Sequence, residues 1–247
     1  RTGKIHWLRV FSIPDVSRIA KGKSIANLLR LQPGESIASI LSVREFEEDK
    51  FVMIATERGI VKKTSLMAYS KPRQGGIIGL TIDEGDRVIG AELCDGESDI
   101  LLATAKGFSI RFSEKEVRPI GRTGRGVRGI RLKKEDEVVG AEIVHPGNKL
   151  LTVTSRGYGK RTQMEEYPVQ GRGGLGVMTI RCNEKIGTVV GVQQVDESDQ
   201  LLVITSDGNI VRMRVNEISL IGRNTQGVRL VGIGEGNQVV SIEKLVE

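Results

Sequence analysis

The residues able to hold a ligand are basic, and they stand in glycine-rich turns. Gln170-Gly-Arg-Gly-Gly-Leu-Gly176 lies within Glu166–Ile180, a stretch that runs into an apolar strand. Related turns are Lys71-Pro-Arg-Gln-Gly-Gly-Ile-Ile-Gly-Leu80, Ile120-Gly-Arg-Thr-Gly-Arg-Gly-Val-Arg-Gly-Ile130 and Ile221-Gly-Arg-Asn-Thr-Gln-Gly-Val-Arg-Leu230, with a looser copy at Arg18-Ile-Ala-Lys-Gly-Lys-Ser-Ile25. Glycine admits a backbone with positive φ, so such a turn can bring N–H groups and a cation to one phosphate. The cations it would bring are Arg18, Lys21, Lys23, Arg73, Arg122, Arg125, Arg128, Arg172, Arg223 and Arg229. Taken alone, the glycines read as hairpin shape. Arg73, Arg125, Arg172 and Arg223 in equivalent turns favour a ligand.

Catalysis finds no support in the spacing. No G-x-x-x-x-G-K-[ST] loop exists, and Gly121-Arg-Thr-Gly-Arg-Gly126 lacks its Lys-Ser/Thr ending. No His or Cys stands where it could activate Ser65, Ser155 or Ser206. Cys94 and Cys182 are isolated, and His6 and His145 lie far from each other and from any Cys. That gives neither a disulfide framework nor a metal site, and it suits a reducing cytosol. No run approaches the roughly 18 apolar residues of a membrane span, and Arg1-Thr-Gly-Lys4 is no signal peptide.

The elements that must position these turns repeat with them. Apolar runs end in a turn glycine at Gly59, Gly107, Gly157 and Gly208, spaced 48, 50 and 51 residues apart. Arg1-Thr2-Gly3 is the tail of another copy, so the N-terminus reads as a cut inside a larger protein. A further element, Asp86–Gly90, Asp136–Gly140, Ile186–Gly191 and Asn237–Ser241, keeps the same register. A unit of about fifty residues with about four short strands is the signature of a propeller blade. The expected fold is therefore all-β, one domain over 1–247, with approximate units 1–50, 51–99, 100–149, 150–199 and 200–247. Lys4–Phe11, Ile37–Val43 and Phe51–Ala55 read as strands, Ile60–Thr64 as a hairpin return arm, and Asp15 as the cap of a short helical turn. Leu201–Ile204 is continuously apolar, as in a strand covered on both faces.

After each turn glycine comes a basic strand holding Lys62 and Lys63, Arg111, Lys160 and Arg161, or Arg212 and Arg214. Alternation in Val211-Arg-Met-Arg-Val215 places both arginines outward, and Ser109-Ile-Arg-Phe112 does the same for Arg111. Acids gather elsewhere, at Glu45–Asp49, Asp83–Asp86, Asp95–Asp99, Glu135–Glu137 and Asp196–Asp199. With a net charge of +6 and a pI near 9.4, repetition predicts one positive band and one negative band. A positive band concentrates a polyanion. Aromatics are only 4%, too few for single-strand stacking platforms; Tyr158 and Tyr167 are open to DNA contact or burial. About eight phosphate contacts predict a slope of log K against log[salt] near −7.

Ile13-Pro-Asp-Val-Ser-Arg-x-Ala-Lys-Gly-x-x-Ile-x-Asn-Leu-Leu29, Gly157-Tyr-Gly-Lys-Arg-Thr162 and Glu217-Ile-Ser-x-Ile-Gly-Arg-Asn-Thr-Gln-Gly-Val228 resemble the C-terminal domain of the bacterial DNA gyrase A protein. The resemblance covers essentially the whole chain. It implies a six-bladed β-pinwheel with exchanged strands, about five blades of it here. It also implies duplex DNA wrapped with positive handedness on the rim, and negative supercoiling by an A2B2 holoenzyme with the gyrase A N-terminal domain and gyrase B. ATP and Mg2+ would act elsewhere in that holoenzyme, with no cofactor in this domain. The cleaving tyrosine would lie in a preceding domain and be none of Tyr69, Tyr158 and Tyr167. A bacterial cytoplasmic, nucleoid-associated protein is implied, with no membrane partner. The family's Gln-Arg/Lys-Arg-Gly-Gly-Arg/Lys-Gly box is expected ahead of residue 1. Gln170, Gly171, Arg172, Gly173, Gly174, Leu175 and Gly176 keep five of its seven positions. The C-terminal domain of the topoisomerase IV A protein, a protein-binding propeller and a propeller glycosidase are the alternatives.

Overall fold

The computed structural model describes residues 2–17, 23–29, 31–32, 34–73 and 75–245. Each repeat is built on an antiparallel hairpin. Phe51–Thr56 pairs with Ile60–Ser65, Asp99–Thr104 with Phe108–Ser113, Lys149–Thr154 with Tyr158–Gln163, and Gln200–Thr205 with Ile210–Arg214. A third strand joins the other side of each first arm: Val88–Cys94, Val138–Val144, Val189–Val195 and Val239–Leu245. These third strands touch one another in succession and line the inside of a propeller-like ring.

The outermost strand of a sheet comes from the next repeat. Val127–Arg128 pairs with Ile60 and Val61, Val177–Met178 with Phe108 and Ser109, and Val228–Arg229 with Tyr158 and Gly159. Ile77–Ile78 pairs in the same way with Lys4–Ile5. The result, among the described residues, is three four-stranded sheets, one of three strands and one of two. This is the expected all-β, strand-exchanged architecture. Two residues make a weak strand, so the hairpin glycine adds an anchor: Thr179 N–H donates to Gly107 O at 2.7 Å and Leu230 N–H to Gly157 O at 2.8 Å. Gly107 has φ 81°, and a Cβ there would press on the carbonyl oxygen of Ile180. Gly208 keeps φ 83° with open space around it, because no exchanged strand among the described residues reaches Ile210–Arg214.

The cores lie between sheets. Along a central strand, successive side chains enter opposite cores. Val52 and Ile54 pack with Leu66, Tyr69 and Leu80, while Met53 and Ala55 pack with Ile100, Leu102 and Phe112 of the next sheet. That explains the continuous apolar runs. Leu201–Ile204 departs from expectation: Leu201 and Val203 are buried, but Leu202 and Ile204 are half-exposed, since no later described sheet covers them. Ile37–Val43 is not a paired strand. Ala38 and Leu41 pack on the Val52 cluster, and Ser39 Oγ donates to Ala91 O at 3.0 Å. No described strand lies in register to pair with this segment. The expected Lys4–Phe11 strand is confined to Lys4–Ile5, whose partner among the described residues is the two-residue strand Ile77–Ile78. The helical turn expected after Asp15 runs into residues 18–22, outside the described residues; a separate 3₁₀ turn, Ile25–Asn27, is capped by Ser24.

Carboxylates tie the inner strands together. Glu92 accepts the Ile143 N–H at 2.9 Å, and Glu142 accepts the Gln194 N–H at 3.1 Å. Burial, then the charge of Glu142, pushes the Glu92 carboxyl up to about 8; burial raises Glu142 as well.

Candidate nucleic-acid interface

The exchange puts the glycine-rich turns on the outside. Each turn leads into the outermost strand of the preceding sheet, and the chain beyond it lies against the next turn. Arg131 N–H donates to Gly174 O and Arg181 N–H to Thr225 O, both at 2.8 Å, and Thr81 N–H to Gly124 O at 3.3 Å. The turns therefore abut one another along the rim. Gly176 enters its exchanged strand at φ 72°, where a Cβ would strike the carbonyl of Ser109.

The sequence-predicted cations divide into three groups. Lys23, Arg73, Arg125, Arg128, Arg172, Arg212, Arg214 and Arg229 are exposed. Arg111, Arg122 and Arg223 are half-buried. Lys62, Lys63, Lys160 and Arg161 are buried, at 0, 3, 0 and 5% exposure. Arg18 and Lys21 lie outside the described residues. The buried four are corrections to the expected outer face. A hairpin arm in this ring has a sheet on either side, so it has no solvent face to offer. Alternation with outward arginines holds only in Ile210–Arg214, whose far side is uncovered.

The buried cations have interior partners. Lys63 Nζ donates to Glu114 O at 2.9 Å, with Glu114 Oε2 at 3.4 Å. Arg161 Nε donates to Ile218 O at 2.7 Å. Arg111, expected outward, bonds Asp99 at 2.8 Å and Met164 O at 3.1 Å. Trp7 occupies the same place in the first unit and donates to Tyr69 O at 2.9 Å. All four reach the 3₁₀ turn of the following unit, so this column clamps adjacent units. Lys62 Nζ donates to Gly79 O at 2.5 Å and to Arg122 O; Lys160 Nζ donates to Gly222 O at 2.6 Å and Arg223 O at 2.5 Å. Burial, reinforced by the Arg122 charge, pushes the Lys62 ammonium down to about 8. Burial does the same for Lys160, with Glu166 opposing and Arg223 assisting.

The rim itself is mixed in charge. Arg125 pairs with Asp83, which interrupts the expected positive band. Arg172 is exposed, yet it braces the neighbouring strand through Arg128 O and Glu116 O, each at 3.1 Å. The N–H groups of Arg172 and Arg223 are taken by the Glu116 and Glu166 carboxylates at 3.0 Å. In the box-like turn, Gln170 N–H goes to Arg111 O and Gly173 N–H to Gly129 O, while Leu175 is 49% exposed. Tyr167 is buried. Tyr158 is half-buried, with the Arg229 and Lys185 cations near its ring.

Sequence reasoning missed Arg131 and Arg181. Both are exposed, both follow an exchanged strand, and Arg181 also donates to Asn224 Oδ1 at 3.0 Å. The signal was available: each stands five residues after the entry glycine, Gly126 or Gly176.

A family model described as DNA gyrase C-terminal domain, beta-propeller, matches residues 2–44, 50–95, 98–145, 148–196 and 199–245. The DNA gyrase A protein of Buchnera aphidicola is 51% identical over 245 residues, covering 99% of this chain and 30% of the relative. That of Salmonella typhimurium is 46% identical over 245 residues, covering 99% and 28%. The chain thus spans less than a third of these relatives. Among solved structures, the C-terminal domain of DNA topoisomerase IV matches with a TM-score of 0.90 at 26% identity, over 99% of this chain and 76% of that one. The DNA gyrase A C-terminal domain matches in fold with a TM-score of 0.87 at 24% identity, over 99% and 80%.

Proposed function

The chain belongs to the DNA gyrase C-terminal β-propeller family, and we propose that its rim binds duplex DNA without sequence preference and wraps it. The single observation that carries this reading is the ring of abutting turns bearing Arg128, Arg131, Arg172, Arg181 and Arg229 on exposed positions. Guanidinium groups on a curved edge suit phosphates, which give affinity without a sequence code. Among the described residues, the helical elements are 3₁₀ turns of three or four residues, too short to lie in a major groove and read base edges. Bending a few tens of base pairs costs several kcal/mol, and phosphate neutralisation at successive turns offsets it. Within a gyrase A protein, wrapping of positive handedness presents a second segment for passage, and ATP hydrolysed on gyrase B in an A2B2 holoenzyme drives negative supercoiling. A topoisomerase IV role fits the fold equally well, but relatives named as gyrase A proteins, at 46 and 51% identity, favour gyrase.

The test is ligation of relaxed circles in the presence of this chain, repeated across a salt series. A topoisomer shift to positive writhe that disappears in high salt supports wrapping. Binding without a shift restricts the role to binding. No binding at low salt refutes the reading.

A further inference from the structure

Two of the rim turns are built around a buried ammonium, and the box-like turn is not. Lys62 and Lys160 are both fully buried and have no carboxylate ion pair among the described residues. Their charge is solvated by turn carbonyls: Arg122 O for Lys62, and Gly222 O and Arg223 O for Lys160, with Thr225 Oγ1 at 3.0 Å. No described peptide is cis. In a trans peptide the C=O and the following N–H point opposite ways. Drawing the Arg122 carbonyl inward therefore turns the Thr123 N–H outward, and drawing in the Arg223 carbonyl does the same for Asn224. Thr123 and Asn224 are both exposed, each in its own copy of the turn, and neither N–H has a partner among the described residues.

The third turn acts as an internal control. Ile110, fully buried, stands where Lys62 and Lys160 stand. There the equivalent N–H, that of Gly173, donates within the protein to Gly129 O at 2.6 Å, at φ 78°. An apolar side chain offers the turn carbonyls nothing, and the peptide takes the other orientation.

We propose that the Thr123 and Asn224 N–H groups are phosphodiester-binding donors of the rim, and that Lys62 and Lys160 are the positioning residues that turn them outward. The proposal rests on the DNA-binding reading and narrows it to two turns. Arg181, held by the Asn224 side chain, places a cation at the second site. Glu166 occupies the neighbouring Arg223 N–H and leaves that of Asn224 as the donor.

The experiment follows backbone amide shifts of the ¹⁵N-labelled 247-residue chain during titration with a short duplex and, separately, with inorganic phosphate. Thr123 and Asn224 should move downfield and Gly173 should not. Lys62→Met should abolish the response of Thr123 while sparing Asn224, and Lys160→Met the reverse, which general unfolding cannot imitate. Each variant should bind duplex about tenfold more weakly, the loss of one charge-assisted hydrogen bond. If other rim amides respond to duplex but these two do not, or if both still respond in the variants, the inference is wrong while DNA binding stands. A response to phosphate alone also overturns it. If no amide responds to duplex, the DNA reading itself fails. The wild-type titration decides the site even if a variant does not fold.

Discussion

Replacing Arg128 and Arg229 by Gln should lower the salt dependence of DNA binding, and replacing Lys62 should not. The exposed arginines of the glycine-rich turns and of the exchanged strands they lead into that have no side-chain ion pair among the described residues are Arg73, Arg128, Arg131, Arg172, Arg181 and Arg229; Arg125 is excluded by its pairing with Asp83. Six phosphate contacts predict a slope of about −5 for log K against log[salt], against the −7 read from sequence. Affinity then falls by roughly a thousandfold between 50 and 200 mM salt. Removing the two arginines of the outermost strands takes the slope to about −3.5. Lys62→Met should weaken binding yet hold the slope near −5, because a fully buried ammonium releases no counterion on contact. The assay is fluorescence anisotropy with a labelled duplex over that salt range. A double arginine variant that keeps the parent slope, or a Lys62 variant that loses about one unit of it, would refute the division into rim and interior cations.

Glu92→Gln should stabilise the chain at neutral pH. A folded-state pKa raised from 4.5 to about 8 contributes stability fully present below the unfolded value, lost as pH rises to the folded value. The amide should recover about 2–3 kcal/mol at pH 7 and flatten the profile between pH 4.5 and 8, read from urea unfolding at each pH. The lysines carry the opposite sign of slope. With folded values near 8 against 10.5, the folded state binds fewer protons between those limits. Wild-type stability should therefore rise with pH across 8 to 10.5 relative to Lys62→Met/Lys160→Met, by about 2–3 kcal/mol per lysine; a flat difference curve would show that the ammonium groups are hydrated. Gly176→Ala should cost at least about 3 kcal/mol, since strain at φ 72° is added to a clash with the Ser109 carbonyl, whereas Gly208→Ala should cost only about 1 kcal/mol. Equal urea midpoints for the two would contradict the close approach of the exchanged strand.

The period is legible because every unit needs a glycine at its hairpin, and the glycine-rich turns do stand on the rim. The lysines mislead for a physical reason. An alternation rule assumes one dry face and one wet face, while an arm between two sheets is dry on both. One clue lies in a column rather than a row: Lys62, Ile110, Lys160 and Val211 occupy one position in successive units. A place that accepts both lysine and isoleucine is an interior slot with room for a long stem. The box-like turn misleads because its composition is right while its Gly173 N–H is spent on Gly129. Glycine content reports what a peptide is free to do, and hydrogen-bond partners decide which way it faces.

Strand exchange also sets a timetable for synthesis. Ile60 cannot find its outer neighbour until Arg128 has left the ribosome, and at roughly 5–20 residues per second that wait lasts about 3–14 seconds. Throughout it, Ile60–Ser65 is an unpaired edge on a nascent chain, open to pairing with a neighbouring polypeptide. Each unit is sealed only by its successor, so the fold matures as a travelling front with one open sheet at its head, and two from the completion of a hairpin until the strand that seals the previous one arrives. Slowing translation just after Ser65 or Ser113 should therefore raise aggregation more than slowing it after Arg128 or Met178.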